Sequence, residues 1–119
     1  MNANLPAPEV AYADAPSIVR EIGWVADQAA NRAFGQPMGR EFWLRKAAVL
    51  DRIALADEAE GIHGDASKAA PQAALKLVQF DGEGNGDYYG IPFWAEHPEA
   101  HARPRGYVRQ EYAHWASNQ

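Results

Sequence analysis

Apolar and polar residues follow the 3.6-residue period of an α-helix along most of this chain. The first periodic stretch covers residues 16–33. Asp14 or Ser17 can cap its start, and Phe34-Gly35 marks its end. Its apolar positions share one face: Ile18, Ile22, Val25 and Ala29, with Val19 and Ala26 beside them. This stretch therefore predicts an amphipathic helix.

The second periodic stretch runs without a breaker from Arg40 to Glu60. Its apolar face is broader than a surface helix requires, which predicts a central helix packed on two sides. A third helix begins near Asp65, or near Ala70 if Pro71 marks its first turn, and ends at a glycine-rich loop.

An aromatic connector, YYGIPFW, then leads to a single turn at Pro98 and to a last helix opened by Pro104. No stretch alternates as a strand would. The sequence thus predicts an all-α fold, a small single-domain bundle of about four helices with an aromatic, proline-rich connector before the last one. Residues 1–14 carry two prolines and no period, so we expect a disordered tail there and one helical domain over 15–117.

Composition narrows the classes of function. The chain has no cysteine, which excludes disulfides, thiolate zinc sites and cysteine catalysis. The first residues carry neither positive charge nor an apolar run, and no stretch approaches the roughly 20 apolar residues of a membrane helix. We therefore expect a cytoplasmic protein without a membrane partner. The net charge of −5 disfavours nucleic acid, a polyanion, as a partner as well.

The loop DGEGNGDYYG, residues 81–90, places side-chain oxygens at every second position between glycines. It resembles the first half of an EF-hand calcium loop over about seven residues. The matching residues are Asp81, Glu83, Asn85, Gly86 and Asp87. Pro92 stands where the EF-hand has its bidentate glutamate, so a mobile turn without metal is the other interpretation.

Histidines near the C-terminus suggest a second candidate metal site. His97 and His101 are four residues apart, and Glu111 and His114 are three apart on the last helix. If the segment around Pro98 folds back on that helix, the four side chains would suit zinc. The alternative is a set of surface histidines beside a proline turn.

The last 20 residues mix basic and aromatic side chains. Their candidate partner contacts are Arg103, Arg105, Tyr107 and Arg109, whereas Val108, Tyr112 and Trp115 share a stripe that favours the core. A helix-turn-helix over residues 53–70 is a further hypothesis, although its second helix offers only Lys68 and Lys76 as donors.

No set of residues has the arrangement of a catalytic site, and no resident cofactor is expected. The broad apolar face of the second helix and the 13 aromatic residues exceed what a small alanine-rich monomer readily covers. We therefore expect a non-enzymatic accessory or regulatory protein that acts through protein–protein interaction, with a homodimer as one form. A calcium- or zinc-responsive module and a DNA-binding regulator are the alternatives.

Overall fold

The computed structural model of the chain describes residues 5–119, and every regular element in that range is a helix. In chain order these are α1 (Pro8–Ala11), α2 (Ile18–Asn31), α3 (Arg40–Ala59), α4 (Asp65–Gly82), α5 (Pro98–Ala102) and α6 (Pro104–Ser117). The all-α class is confirmed. The expected four helices correspond to the four long ones, and α1 and α5 add two helices of four and five residues.

The ends of the long helices follow local chemistry. Ser17 caps α2, because its Oγ accepts a hydrogen bond from the main-chain N–H of Arg20 at 3.2 Å. The proline at the start of α6 lies where a missing N–H loses no helical bond. The alternative start of α4 near Ala70 was wrong, since Pro71 lies inside a helix that begins at Asp65.

Helix α3 is central, as its broad apolar face predicts. It packs along α4, and other parts of its surface contact α2 and α6. Helix α4 also packs on α6, and α1 and α5 lie against α6. Helix α2, by contrast, packs mainly against α3 and stands at the periphery.

The core contains few large side chains and many alanines. Tyr107 and Tyr112 are its largest fully buried residues, and Leu44, Leu77, Val78 and Val108 join them. Burying each such side chain stabilises the fold by roughly 1.5–3 kcal/mol. Alanines complete the layers between α3 and α4, including Ala47, Ala48 and Ala74.

The expected disordered tail over residues 1–14 was wrong for the part that the structure describes. Pro8–Ala11 forms α1, and Ala11 is buried against the rest of the protein. The hydroxyl of Tyr12 donates a hydrogen bond to Asp51 at 2.6 Å, which anchors the segment to α3. Residues 1–4 lie outside the described residues.

The aromatic connector packs against α6. Phe93 is buried, and its main-chain N–H and C=O both bind the side-chain amide of Gln110, at 3.1 and 2.8 Å. Ala95 is buried beside it, whereas Ile91 and Trp94 are more than half exposed. The connector thus buries alternate residues and presents the others to solvent.

Candidate protein interface

The glycine-rich loop does not bring its four oxygen-bearing side chains together. Asp81 is buried at the end of α4, where Arg40 binds both of its oxygens at 2.8 and 3.0 Å. The hydroxyl of Tyr107 donates to it at 2.7 Å. The other three residues, Glu83, Asn85 and Asp87, are exposed. The carboxylate that would open a calcium loop is therefore already occupied by protein donors.

The histidines lie in three different settings. His97 caps α5, since its Nδ1 accepts from the N–H of Glu99 at 2.9 Å, and His101 is exposed. His114 stacks on the ring of Tyr89 with a centroid separation of 4.0 Å. Among residues 5–119, no group of three or more acidic or histidine side chains is arranged to hold a metal ion.

Glu111, the remaining member of that candidate zinc set, is buried in α6. Its carboxylate accepts hydrogen bonds from the main-chain N–H groups of Tyr89 and Gly90, at 2.7 and 2.9 Å, and from Arg40 at 2.9 Å. Gln110 adds a further bond at 2.7 Å. Glu111 therefore joins the connector to α6 and to the start of α3.

The candidate partner contacts at the C-terminus are mostly internal. Tyr107 is 1% exposed, so the expectation that it faces a partner is corrected. Burial and the neighbouring carboxylate of Asp81 raise the pKa of its hydroxyl far above the ordinary value of 10. Arg103 is exposed and pairs with Glu99 one turn earlier. Arg103 alone of the four thus remains well exposed to solvent.

Arg105 and Arg109 converge on one buried carboxylate, that of Asp51 in α3. The Nε of Arg105 lies 2.6 Å from it, and Arg109 binds both oxygens at 2.8 Å. Arg105 also reaches Glu58 at 2.9 and 3.1 Å. The sequence signals for this cluster were two arginines four residues apart and an aspartate on the alanine-rich face of α3.

Comparison of the chain with known protein families, with curated proteins and with solved structures found no match. Within residues 5–119, none of the helices combines the length and apolar character that crossing a bilayer requires. The side chains that the fold presents to solvent therefore carry the information about function.

Helix α2 presents most of its apolar face to solvent. Val19 is 79% exposed and Ile22 is 46% exposed. Three alanines continue the exposed face toward the C-terminus of the helix: Ala26, Ala29 and Ala30. The one fully buried residue of α2 is instead an acid, Glu21.

Arg45 of α3 explains this orientation. Its guanidinium binds both oxygens of Glu21 at 2.7 Å and lies 3.7 Å from the centroid of the Trp24 ring. Consecutive helical residues differ by about 100° around the axis. Turning Glu21 and Trp24 toward α3 therefore turns Ile22 and Val19 away from it.

The exposed face has a charged edge. Arg20 and Asp27 are seven residues apart, so they lie on the same side of the helix, two turns from each other. Both side chains are exposed, and neither forms a salt bridge within the described part of the chain. The edge therefore carries one unpaired charge of each sign.

Proposed function

We propose that this chain is a non-enzymatic accessory or regulatory protein that acts through protein–protein interaction, and that the exposed face of α2 binds the same face of a second copy. The observation that supports this is the orientation of α2. A strongly amphipathic helix is held by Arg45 with its acid inward and its apolar side outward. A partner helix would cover the surface that the fold leaves exposed.

Charge favours a second copy as the occupant. When two identical helices pack antiparallel about a twofold axis, the same edge of each helix faces the other. Arg20 of one copy then lies opposite Asp27 of the other, and the pair occurs twice. In a parallel arrangement about a twofold axis the same edges lie on opposite sides of the helix pair, so these two charges would not face each other. The edge of α2 is thus self-complementary in the antiparallel orientation.

The size of the face predicts a weak dimer. The exposed fractions of Val19 and Ile22 add up to slightly more than one large side chain per copy. Burying that much apolar surface stabilises the dimer by roughly 2–3 kcal/mol per copy. A helix of 14 residues is about 21 Å long, and its contact is smaller than the about 800 Å² per partner of a standard interface. We expect a dissociation constant of roughly 10 µM to 1 mM.

Sedimentation equilibrium over a concentration series would test the dimer. Val19→Glu should make the protein monomeric, because it places an unpaired charge in the interface. Ile62→Glu is the matched control, since Ile62 is also exposed, at 52%, but lies outside α2. A wild-type chain that stays monomeric at millimolar concentration would contradict the proposal.

The antiparallel register has its own test. Arg20→Asp and Asp27→Arg should each weaken the dimer, by roughly 1–3 kcal/mol, because each change turns two attractive pairs into two repulsive pairs. The double variant, with both charges exchanged, should recover most of the loss. If the double variant is weaker than either single variant, the two residues do not face each other.

A further inference from the structure

A groove runs along the outer side of α3 and α4. Two adjoining cavities of about 360 and 460 Å³ form it, and Trp43 and Lys46 line both. On α3 the groove is bordered by Trp43 and Leu50, seven residues apart. On α4 it is bordered by Ala69, Ala73 and Phe80, at spacings of four and seven. The residues on both borders are therefore spaced four or seven apart, as in the contact between two packed helices.

The groove has the shape that a helix would fill. Ala69 and Ala73 keep its α4 side low, because a methyl group projects little from the backbone. Trp43, Leu50 and Phe80 are only partly buried, so they leave apolar surface in contact with solvent. An amphipathic helix inserts its apolar face into grooves of this kind through residues spaced three, four and seven apart.

The charges at the groove are mostly positive, with Arg32, Lys46 and Lys76 against Glu83, although the protein as a whole carries a net charge of −5. The Nζ atoms of Lys46 and Lys76 lie 5.6 and 5.4 Å from the centroid of the Trp43 ring. Neither lysine pairs with a carboxylate among residues 5–119. These are two of the three lysines in the whole chain.

We propose that this groove binds an amphipathic helix of a partner protein that carries acidic residues along its apolar face. The apolar residues of the partner would pack on Trp43, Leu50 and Phe80. Its carboxylates would pair with Lys46 and Lys76, which both lie beside the Trp43 ring and have no carboxylate partner of their own among residues 5–119. This site does not rest on the dimer, because its anchors lie on α3 and α4 and not at Val19 and Ile22; Ala29, near the C-terminal end of α2, borders it on one side.

The test uses a displayed library of 18-residue helical peptides. Each peptide has a fixed leucine stripe, and the flanking positions are randomised equally among Glu, Gln and Lys. The immobilised bait is the full chain carrying Val19→Glu, so that α2 pairing does not contribute. We expect the selected peptides to be enriched in glutamate at the flanking positions. Selected peptides that are basic or neutral, or no selection at all, would overturn the proposal.

Charge reversal in the groove provides the specific control. Lys46→Glu with Lys76→Glu should weaken binding of a selected peptide by at least about tenfold, and the library should then select lysine instead. Lys68→Glu should change affinity by less than about twofold, because Lys68 is an exposed lysine of α4 that does not line the groove. Equal losses in both variants would overturn the proposal.

Two other occupants give distinct results. If polyglutamate competes for the groove as effectively as the unlabelled peptide does, the groove attracts any polyanion, and the helix proposal is overturned. If the chain with Lys46→Glu and Lys76→Glu no longer dimerises in sedimentation, a second copy occupies the groove, and the helix proposal is overturned as well. Loss of dimerisation in Val19→Glu with retained peptide binding would separate this site from the α2 interface.

Discussion

The carboxylate of Asp51 allows a quantitative test of what holds this fold together. Its side chain is fully buried and accepts four hydrogen bonds, from Tyr12, Arg105 and Arg109, at 2.6 to 2.8 Å. Asparagine would keep the size of the side chain. It would remove the negative charge and place an amide donor among guanidinium donors, so at least one donor would lose its partner.

We expect Asp51→Asn to lower the free energy of unfolding by about 3 kcal/mol, the lower end of the range for breaking a buried ion pair. Arg105 would keep Glu58, whereas Arg109 would lose the carboxylate that it binds, although its side chain is only 20% exposed. The total stability of a chain of 119 residues is roughly 6–18 kcal/mol. The melting temperature should therefore fall by roughly 10–15 °C.

Urea unfolding followed by circular dichroism and tryptophan fluorescence would measure the loss. Asp87→Asn is the control, because Asp87 is exposed and should change stability by less than about 0.5 kcal/mol. Arg109→Met should have a smaller effect than Asp51→Asn, since it leaves Asp51 bound to Arg105 and Tyr12. If Asp51→Asn falls within about 1 kcal/mol of the control, water reaches both guanidinium groups and the reasoning is refuted.

Two further predictions concern pH and calcium. Hydrogen bonds from Arg105 and Ser67 lower the pKa of Glu58 from 4.5 to about 2, so Glu58 stabilises the fold above pH 4.5 and this contribution is lost as pH falls toward 2. Urea titrations should find Glu58→Gln less stable than wild type at pH 7, with a difference that shrinks below pH 4.5; a constant difference would contradict this. Calcium at about 1 mM should leave the melting temperature unchanged, because Asp81 is occupied by Arg40 and Tyr107; a rise that Asp87→Asn abolishes would show that the loop binds calcium.

The long helices were predictable because their signals are local. Periodicity, the cap at Ser17 and the proline at residue 104 act within a few residues of each helix end. Helix α1 lacks such a period, and it is held by a contact between Tyr12 and Asp51, 39 residues apart. A pattern read along the sequence contains no information about that distance, which is why the segment was expected to be disordered.

The candidate sites were harder to predict because side-chain type does not reveal which partner a side chain finds. Arg109 has the composition of an interface residue, but its partner lies 58 residues earlier in α3. Asp81 has the setting of a calcium ligand, but Arg40, 41 residues earlier, binds it first. In both cases the deciding fact is the packing of α3 against its neighbours.

The alanine-rich core and the exposed apolar surfaces have one physical explanation. Layers of alanine fit together in several rotational settings, since methyl groups interlock poorly, so apolar packing alone fixes the orientation of a helix only weakly. Here arginine–carboxylate pairs fix it instead, as Arg45 and Glu21 do for α2. Such pairs contribute specificity more than stability, and they orient a helix without regard to where its apolar side points. That freedom leaves Val19 and Ile22 on the surface. Replacing Glu21 and Arg45 with apolar residues should thus let α2 rotate, bury its apolar face and lose the interface.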